Sequence, residues 1–263
     1  MKPKISVIIP CFNEEIWVGA TITQLLICPL ASEIIAVDDG SKDKTLQILK
    51  LFEDKIKIIS FEKNKGKGAA LAEGVKKARG EIVVFADAHH LNIKNSHIKT
   101  LTSFLIKNQA DAVLGTTVGL IPDPFWRFTG FRAYWKKDLL PYLSRIKKTR
   151  FGVEIYLNEI FKKKRVKLIY PKGLIHLAKP QKMPLSKVPI ASINQFIEMT
   201  QVLAQVKGIK PQKIKEILNP KKIKTFKELK KTVQKLKNKQ SLSLRDKKIT
   251  KLLKDHILSY FEK

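Results

Sequence analysis

The chain has 263 residues, 44% of them hydrophobic, which is enough to bury the core of one α/β domain with a modest appendage. Its two cysteines, Cys11 and Cys28, exclude a disulfide-stabilised scaffold and are expected to pack as apolar groups in a reducing cytoplasm. The formal net charge of +29 exceeds what solubility requires and predicts an anionic partner, such as nucleic acid, an anionic membrane or a phosphorylated substrate.

The first half of the chain alternates short β-branched runs with longer amphipathic segments, which is typical of a parallel sheet covered by helices. We predict strands at 4–9, 33–37, 56–60, 81–86, 112–114 and 166–170, and helices at 14–27, 44–52, 66–78, 96–107 and 153–164. Right-handed crossovers between such strands bring their carboxyl ends to one edge of the sheet. A ligand is expected at that edge.

The segment 121–142 is rich in aromatic side chains, among them Trp126, Phe131 and Tyr134, which predicts either a wall that faces an acceptor or core packing. Prolines recur between residues 171 and 189 and predict a boundary. Beyond them, lysine-rich stretches have the pattern of amphipathic helices. We therefore predict an α/β domain at 1–180 and a lysine-rich helical region at 181–263.

Acidic residues follow two of the predicted strands. Asp38 and Asp39 follow the second strand, Asp87 follows the fourth, and His89 lies two residues further on. A diphosphate leaving group gains negative charge as it departs, and a divalent cation held by such side chains neutralises that charge. An imidazole beside a carboxylate suits Mn²⁺ or another transition ion better than Mg²⁺.

Four ordered blocks of sequence carry a family resemblance. They are Val-Ile-Ile-Pro-Cys-Phe-Asn-Glu-Glu at 7–15, Val-Asp-Asp-Gly-Ser-Lys-Asp-Lys-Thr at 37–45, Asn-Lys-Gly-Lys-Gly-Ala-Ala at 64–70, and Gly-Glu-Ile-Val-Val-Phe-Ala-Asp at 80–87. Together they resemble the motifs of family 2 glycosyltransferases, most closely the polyprenyl-phosphate sugar transferases similar to dolichol-phosphate mannose synthase. A weaker match continues through 130–134 and 151–154 to about residue 170. The resemblance implies a GT-A (Rossmann-like) α/β fold with a mostly parallel sheet flanked by helices, followed here by a small C-terminal helical appendage.

The resemblance also implies roles for individual residues. The nucleoside of the donor would be held by Pro10, Asn13, Glu14, Asp38 and Asp39. Lys67 would approach the donor phosphates, and Asp87 with His89 would hold Mn²⁺ or Mg²⁺. Catalysis would rest on Asp87, on Glu154 as the candidate base, and on Arg132, which with Lys136 would meet an anionic acceptor or the leaving diphosphate.

Two departures from the family pattern matter. His89 stands where the family usually has a second aspartate, and few residues separate Gly115 from Gly130, where polyprenyl-phosphate transferases carry a longer acceptor segment. Simpler interpretations also remain open. The two aspartates at 38–39 would serve equally as helix caps, His89 as a loop residue, Glu154 as a helix-surface charge, and Arg132 as the partner of Asp138 in a surface ion pair.

The sequence thus predicts a metal-dependent glycosyltransferase with a nucleotide-sugar donor and a lipid-phosphate or glycan acceptor, and the family resemblance implies inversion at the anomeric carbon. The absence of a signal peptide or a spanning segment predicts a cytoplasmic location, with basic helices contacting the inner face of the membrane. Two alternatives stay open. One is a GT-A-fold protein with little or no catalysis that binds an anionic partner, although we consider nucleic acid the weaker choice, and the other is a nucleotidyltransferase. Scattered lysines without a function would also account for the charge.

Overall fold

The structure is a computed structural model that describes residues 2–116, 129–176, 188–219, 223, 225–237 and 248–253. The chain divides into two compact units, Met1–Leu177 and Ala178–Lys263. The aromatic residues Phe125, Trp126 and Phe128, whose role the sequence left open, lie outside the described residues.

The described residues of the first unit form nine strands. They are β1 (Ile5–Cys11), β2 (Glu33–Asp38), β3 (Lys57–Ser60), β4 (Ile82–Phe85), β5 (His90–Leu91), β6 (Ala112–Gly115), β7 (Phe131–Trp135), β8 (Val166–Ile169) and β9 (Ile175–His176). Seven form one sheet in the order β3-β2-β1-β4-β7-β6-β8, and β5 pairs with β9 in a second, two-stranded sheet. Within the large sheet only the pairs that involve β7 are antiparallel. This confirms the predicted mostly parallel α/β fold.

The helices of the first unit are α1 (Val18–Leu26), α2 (Thr45–Lys50), α3 (Lys67–Lys77), α4 (Asn95–Ile106), α5 (Lys136–Leu139), α6 (Leu143–Ile146) and α7 (Val153–Ile160). Central strands covered on both faces consist of continuous apolar runs, and Val7, Ile8 and Val84 are accordingly fully buried. Helix α1 begins four residues later than predicted. Asn13 has a φ of 55°, and the turn that follows it, closed by Val18 N–H on the Glu14 carbonyl, delays the helix.

The antiparallel strand β7 was not predicted from the sequence. Its residues belong to the aromatic segment 121–142, and Phe131 and Tyr134 are buried in the core. The Tyr134 ring contacts those of Phe85 and Phe161 at centroid distances of 5.6 and 4.9 Å. In this strand, therefore, the aromatic residues serve core packing.

The second unit contains α8 (Val188–Val206), α9 (Pro211–Ile217) and α10 (Phe226–Lys237). Gly208, with a φ of 72°, follows the end of α8, and a proline opens α9, as expected at these positions. Helix α10 buries Leu229 and Val233 and exposes Lys227, Lys231 and Lys235. Among the described residues, no helix combines the length and the apolarity needed to cross a membrane.

Candidate active site

The loops that follow β1, β2 and β4 meet at one edge of the sheet because these three strands are adjacent and parallel. The last residues of β1 and β2, Cys11 and Asp38, are in register, and the Asp39 N–H donates to the Cys11 carbonyl at 2.8 Å. Burial raises the pKa of the Cys11 thiol, and the negative charges of Glu14, Asp38 and Asp87 raise it further. Three acidic residues from three different segments thus lie near the Cys11 side chain at this edge.

Asn13 joins the loop after β1 to the loop after β2. Its N–H donates to Ser41 Oγ at 3.0 Å, and its Oδ1 accepts from Lys42 N–H at 2.9 Å. The Glu14 N–H donates to Thr45 Oγ1 at 2.7 Å. Pro10, also predicted to bind the nucleoside, is a half-buried residue of β1 at the same edge.

Asp39 holds the loop that leads into α3. Its carboxylate accepts from Lys65 N–H at 2.7 Å, from Gly66 N–H at 2.8 Å and from Asn64 Nδ2 at 2.9 Å. Burial raises the pKa of Asp39, and the two backbone hydrogen bonds oppose that rise. Asp38 is similarly buried and accepts from Ser41 N–H and Ser60 Oγ at 3.3 and 3.2 Å. The side chains of both aspartates therefore stabilise these loops through hydrogen bonds within the protein.

Lys67, Asp87 and Glu154 form the central charge cluster of the site. The Lys67 Nζ lies 2.6 Å from Asp87 Oδ1 and 2.7 Å from Glu154 Oε1, and the three side chains are only 9–15% exposed. Burial by itself would lower the pKa of Lys67, but the charges and hydrogen bonds of the two carboxylates outweigh it and raise that pKa. The ammonium is thus held in its charged form between two anions.

The position of Asp87 is fixed by two further contacts. Its backbone N–H donates to His90 Nδ1 at 2.8 Å, which places the proton of that buried imidazole on Nε2 when the ring is neutral. A Cβ built on Gly130 would overlap the Asp87 carboxylate, with its Cγ only 2.5 Å away. A larger residue at position 130 would therefore displace the Asp87 carboxylate.

His89 and Glu14 form a pair that joins the loop after β4 to the loop after β1. The His89 Nδ1 lies 3.0 Å from Glu14 Oε1. A carboxylate in this position fixes the orientation and tautomer of histidines that bind metals. Across the described residues, no three His, Cys, Asp or Glu side chains converge closely enough to hold a metal ion. The described residues therefore do not form a complete protein site for a divalent cation by themselves.

Arg132 lies in the core and not on the surface. It is 1% exposed, its Nη1 donates to Asn158 Oδ1 at 2.8 Å, and its Nε donates to the Thr129 carbonyl at 2.5 Å. The surface ion pair with Asp138 considered from the sequence is therefore wrong. Lys136 lies at the opposite edge of the sheet from Asp87, where its Nζ donates to the Ala78 carbonyl.

Two residues of this site were not found from the sequence. For Gly130 the sequence offered only a weak signal, its place as the first residue of the weaker family match at 130–134. His90 gave no signal, since it stands beside His89 and only the fold separates their roles. The structure brings together Lys67, Asp87 and Glu154 on one hand, and Glu14 with His89 on the other.

The comparisons with known proteins identify the family and the fold of the first unit. The family model described as glycosyl transferase family 2 matches residues 6–168, more than half of the chain. The mouse (Mus musculus) dolichyl-phosphate beta-glucosyltransferase is 34% identical over 99 residues, covering 32% of this chain and 31% of that protein. The dodecaprenyl-phosphate galacturonate synthase of Rhizobium johnstonii is 29% identical over 120 residues, covering 43% and 35%. The chain thus spans about a third of the length of these curated relatives.

Among solved structures, glucosyl-3-phosphoglycerate synthase of Mycobacterium tuberculosis, in complex with Mn²⁺, uridine diphosphate and glucosyl-3-phosphoglycerate, superposes with a TM-score of 0.61. It is 22% identical, and the match covers 79% of this chain and 81% of that one. This likeness shows a shared fold. The family match over residues 6–168 goes further, and the chain belongs to glycosyl transferase family 2.

Proposed function

We propose that this chain transfers a sugar from a nucleoside diphosphate donor to an acceptor that carries a phosphate, with inversion at the anomeric carbon. The observation that carries the proposal is the cluster of Lys67, Asp87 and Glu154 at the carboxyl edge of the sheet of a family 2 domain. Ligands of open α/β sheets bind at this edge.

The donor nucleoside would lie against the loops after β1, β2 and β3. Asn13 and Asp38 sit at the junction of these loops, beside Pro10 and Glu14. Asp39 would act through the loop that it holds, because its carboxylate already accepts three hydrogen bonds from residues 64–66. The first turn of α3, with Lys67, would then face the donor phosphates.

Asp87 and His89 would hold a divalent cation, Mn²⁺ or Mg²⁺. Two protein ligands suit a cation whose coordination is completed by substrate phosphates, and the Glu14–His89 pair supplies the orienting carboxylate that metal-binding histidines use. Such a cation stabilises the charge of the departing diphosphate as a Lewis acid. Lys67 contributes a second positive charge beside Asp87, at 2.6 Å from its carboxylate.

The environment of Glu154 supports a phosphate acceptor in preference to a glycan hydroxyl. One of its oxygens is bound by the Lys67 ammonium at 2.7 Å, so that oxygen is not available to take a proton from a hydroxyl. A phosphate brings its own oxyanion and needs no general base. The two relatives named above are a dolichyl-phosphate and a dodecaprenyl-phosphate transferase, and the structural neighbour was solved with a phosphoglycerate product.

Arg132 would act as a positioning residue. It links β7 to α7 through Asn158, and α7 carries Glu154 in its first turn. Since the guanidinium is buried, its effect on the reaction would pass through the placement of that helix.

The lysines of α10 would contact an anionic membrane. Lys227, Lys231 and Lys235 recur every four residues on the exposed side of the helix, where like charges repel one another unless an anionic surface neutralises them. Each lysine near such a surface contributes about 1 kcal/mol. Replacing the three by glutamine should release the protein from vesicles of anionic lipid, whereas equal binding to neutral vesicles would contradict the proposal.

The transfer reaction is tested with a panel of nucleotide sugars, with Mn²⁺ or Mg²⁺, and with polyprenyl phosphate, a small phosphate ester or a glycan as the acceptor. We expect product only with a phosphate acceptor, and we expect Asp87→Asn to abolish it. Asp54→Asn is the matched control, because Asp54 is an exposed aspartate that precedes β3, whereas the binding loops follow the strands.

The same assay separates the alternatives. Glu154→Gln should keep most of the activity with a phosphate acceptor, whereas complete loss would show that this carboxylate acts as a base. A wild-type protein that forms no product and binds no nucleotide sugar would favour the non-catalytic binding protein, and nucleotide transfer would favour the nucleotidyltransferase.

A further inference from the structure

The backbone of Arg150 adopts a conformation that arginine rarely takes. Within the described residues, four residues other than glycine have a positive φ, and three of them are asparagines, which tolerate the left-handed region. Arg150, with a φ of 47°, is the exception. A positive φ strains the backbone of an arginine. Backbone strain costs stability and persists only where the surrounding structure imposes it, often at a ligand site.

The strained turn is held against the loop that leads into α3. A Cβ placed on Gly66 would lie 2.7 Å from the Arg150 Cα and 2.9 Å from its Cβ, so the two backbones touch. Gly66 itself has a φ of 93°, and Gly68 makes a similarly close approach to Thr149. The segment that carries Arg150 is thus packed onto the glycines of the third family motif.

The side chain of Arg150 points along the same loop. Its Nη2 donates to Asn64 Oδ1 at 3.1 Å, and the Asn64 Nδ2 donates to Asp39 Oδ2 at 2.9 Å. The positive charge of Arg150 opposes the rise in the pKa of Asp39 that burial causes, so the guanidinium lies near that carboxylate. Arg150 is nevertheless exposed to solvent, which leaves it accessible to a ligand at this edge.

A further cationic side chain would strengthen the binding of an anionic donor. Lys67, the residue that the motif assigns to the donor phosphates, shares its charge with Asp87 and Glu154 at 2.6 and 2.7 Å. Arginine is better suited than lysine to a diphosphate, because its planar guanidinium donates two parallel hydrogen bonds to phosphate oxygens.

We propose that Arg150 is a donor-binding residue whose guanidinium contacts the anionic part of the nucleoside diphosphate beside the loop 64–66. This assignment rests on the proposed donor class. It explains why a strained arginine occupies a position where glycine or asparagine would be more stable.

The test measures the unfolding temperature and the affinity for a nucleoside diphosphate, both in the wild type and in Arg150→Gly. Glycine adopts a positive φ without strain, so the variant should unfold at the same or a higher temperature than the wild type. Its affinity for the nucleoside diphosphate that the wild type binds best, chosen by calorimetry from UDP, GDP, ADP and CDP, should fall about tenfold, because a charge-assisted hydrogen bond is lost. Arg150→Lys should recover part of that affinity, and Lys148→Ala, a neighbouring exposed cation, should change it by less than about twofold.

The outcomes separate this assignment from the proposed function. Unchanged binding in Arg150→Gly, when the wild type binds a nucleoside diphosphate, would overturn the role of Arg150 alone. Reduced stability together with reduced binding would also overturn it, because Arg150 would then act by holding the fold. A wild-type protein that binds none of the four diphosphates would refute the donor class itself and this assignment with it.

Discussion

Removing the ammonium of Lys67 should destabilise the fold at neutral pH. In Lys67→Met, whose side chain has a similar length, Asp87 and Glu154 would remain as two mostly buried carboxylates with no cation between them. Breaking a buried ion pair by removing one partner costs about 3–5 kcal/mol, and the partial exposure of these side chains favours the lower end, about 3 kcal/mol. For a unit of this size the Tm should fall by about 6–12 °C.

The pH dependence of this loss provides a sharper check. The deficit of the variant should shrink between about pH 7.5 and about pH 11, because the charge of Lys67 stabilises the wild type progressively less as the pH rises. The pKa of Lys67 is raised in the folded state. The stability that its charge contributes to the wild type is therefore fully present below the unfolded-state pKa of about 10.4, and it is lost as the pH rises through the higher folded-state pKa.

The assay is urea denaturation of both proteins across this pH range, with Lys76→Met as the control. Lys76 is an exposed lysine near the other end of α3, so the control removes the same charge from the same helix. A deficit equal to that of the control, or one that does not change with pH, would refute the buried charge cluster as a source of stability.

Three further predictions follow from the same geometry. Gly130→Ala should displace the Asp87 carboxylate and weaken Mn²⁺ binding measured by paramagnetic resonance, whereas Gly19→Ala, whose Cβ would meet its nearest atom at an ordinary 3.4 Å, should leave binding unchanged. Asp39→Asn should lower the free energy of unfolding by about 1–3 kcal/mol, because an amide group would face backbone N–H donors, and an unchanged urea midpoint would contradict this. Cys11 should resist alkylation at about pH 8 until the protein unfolds, because burial raises the pKa of its thiol, and mass spectrometry of the folded protein would detect any exception.

Much of the first unit was predictable because strands covered on both faces are continuous runs of apolar residues, which are easy to identify in the sequence. The apolar runs of β1, β2 and β4 were predicted within two residues at each end. Strand β7 was missed because it has no such context: its aromatic residues occur in a segment where neither strand nor helix periodicity dominates. An antiparallel strand inserted between parallel ones depends on pairing partners far away in the sequence.

The sequence by itself determined which residue types arrive at the binding edge, since the order of the family motifs fixes which strands carry Asn13, Asp38 and Asp87. The hydrogen-bond and ion-pair partners of the site residues were decided only by the tertiary structure. Arg132 was expected at a ligand and is buried against Asn158, and Glu14 was assigned to the nucleoside and pairs with His89. Hydrogen bonds and ion pairs between distant segments are sensitive to differences of a few tenths of an ångström in the distance between their atoms, and packing sets that distance. These distances cannot be inferred from the local sequence. Lys67 and Glu154 could therefore be named as candidate site residues but not as an ion pair.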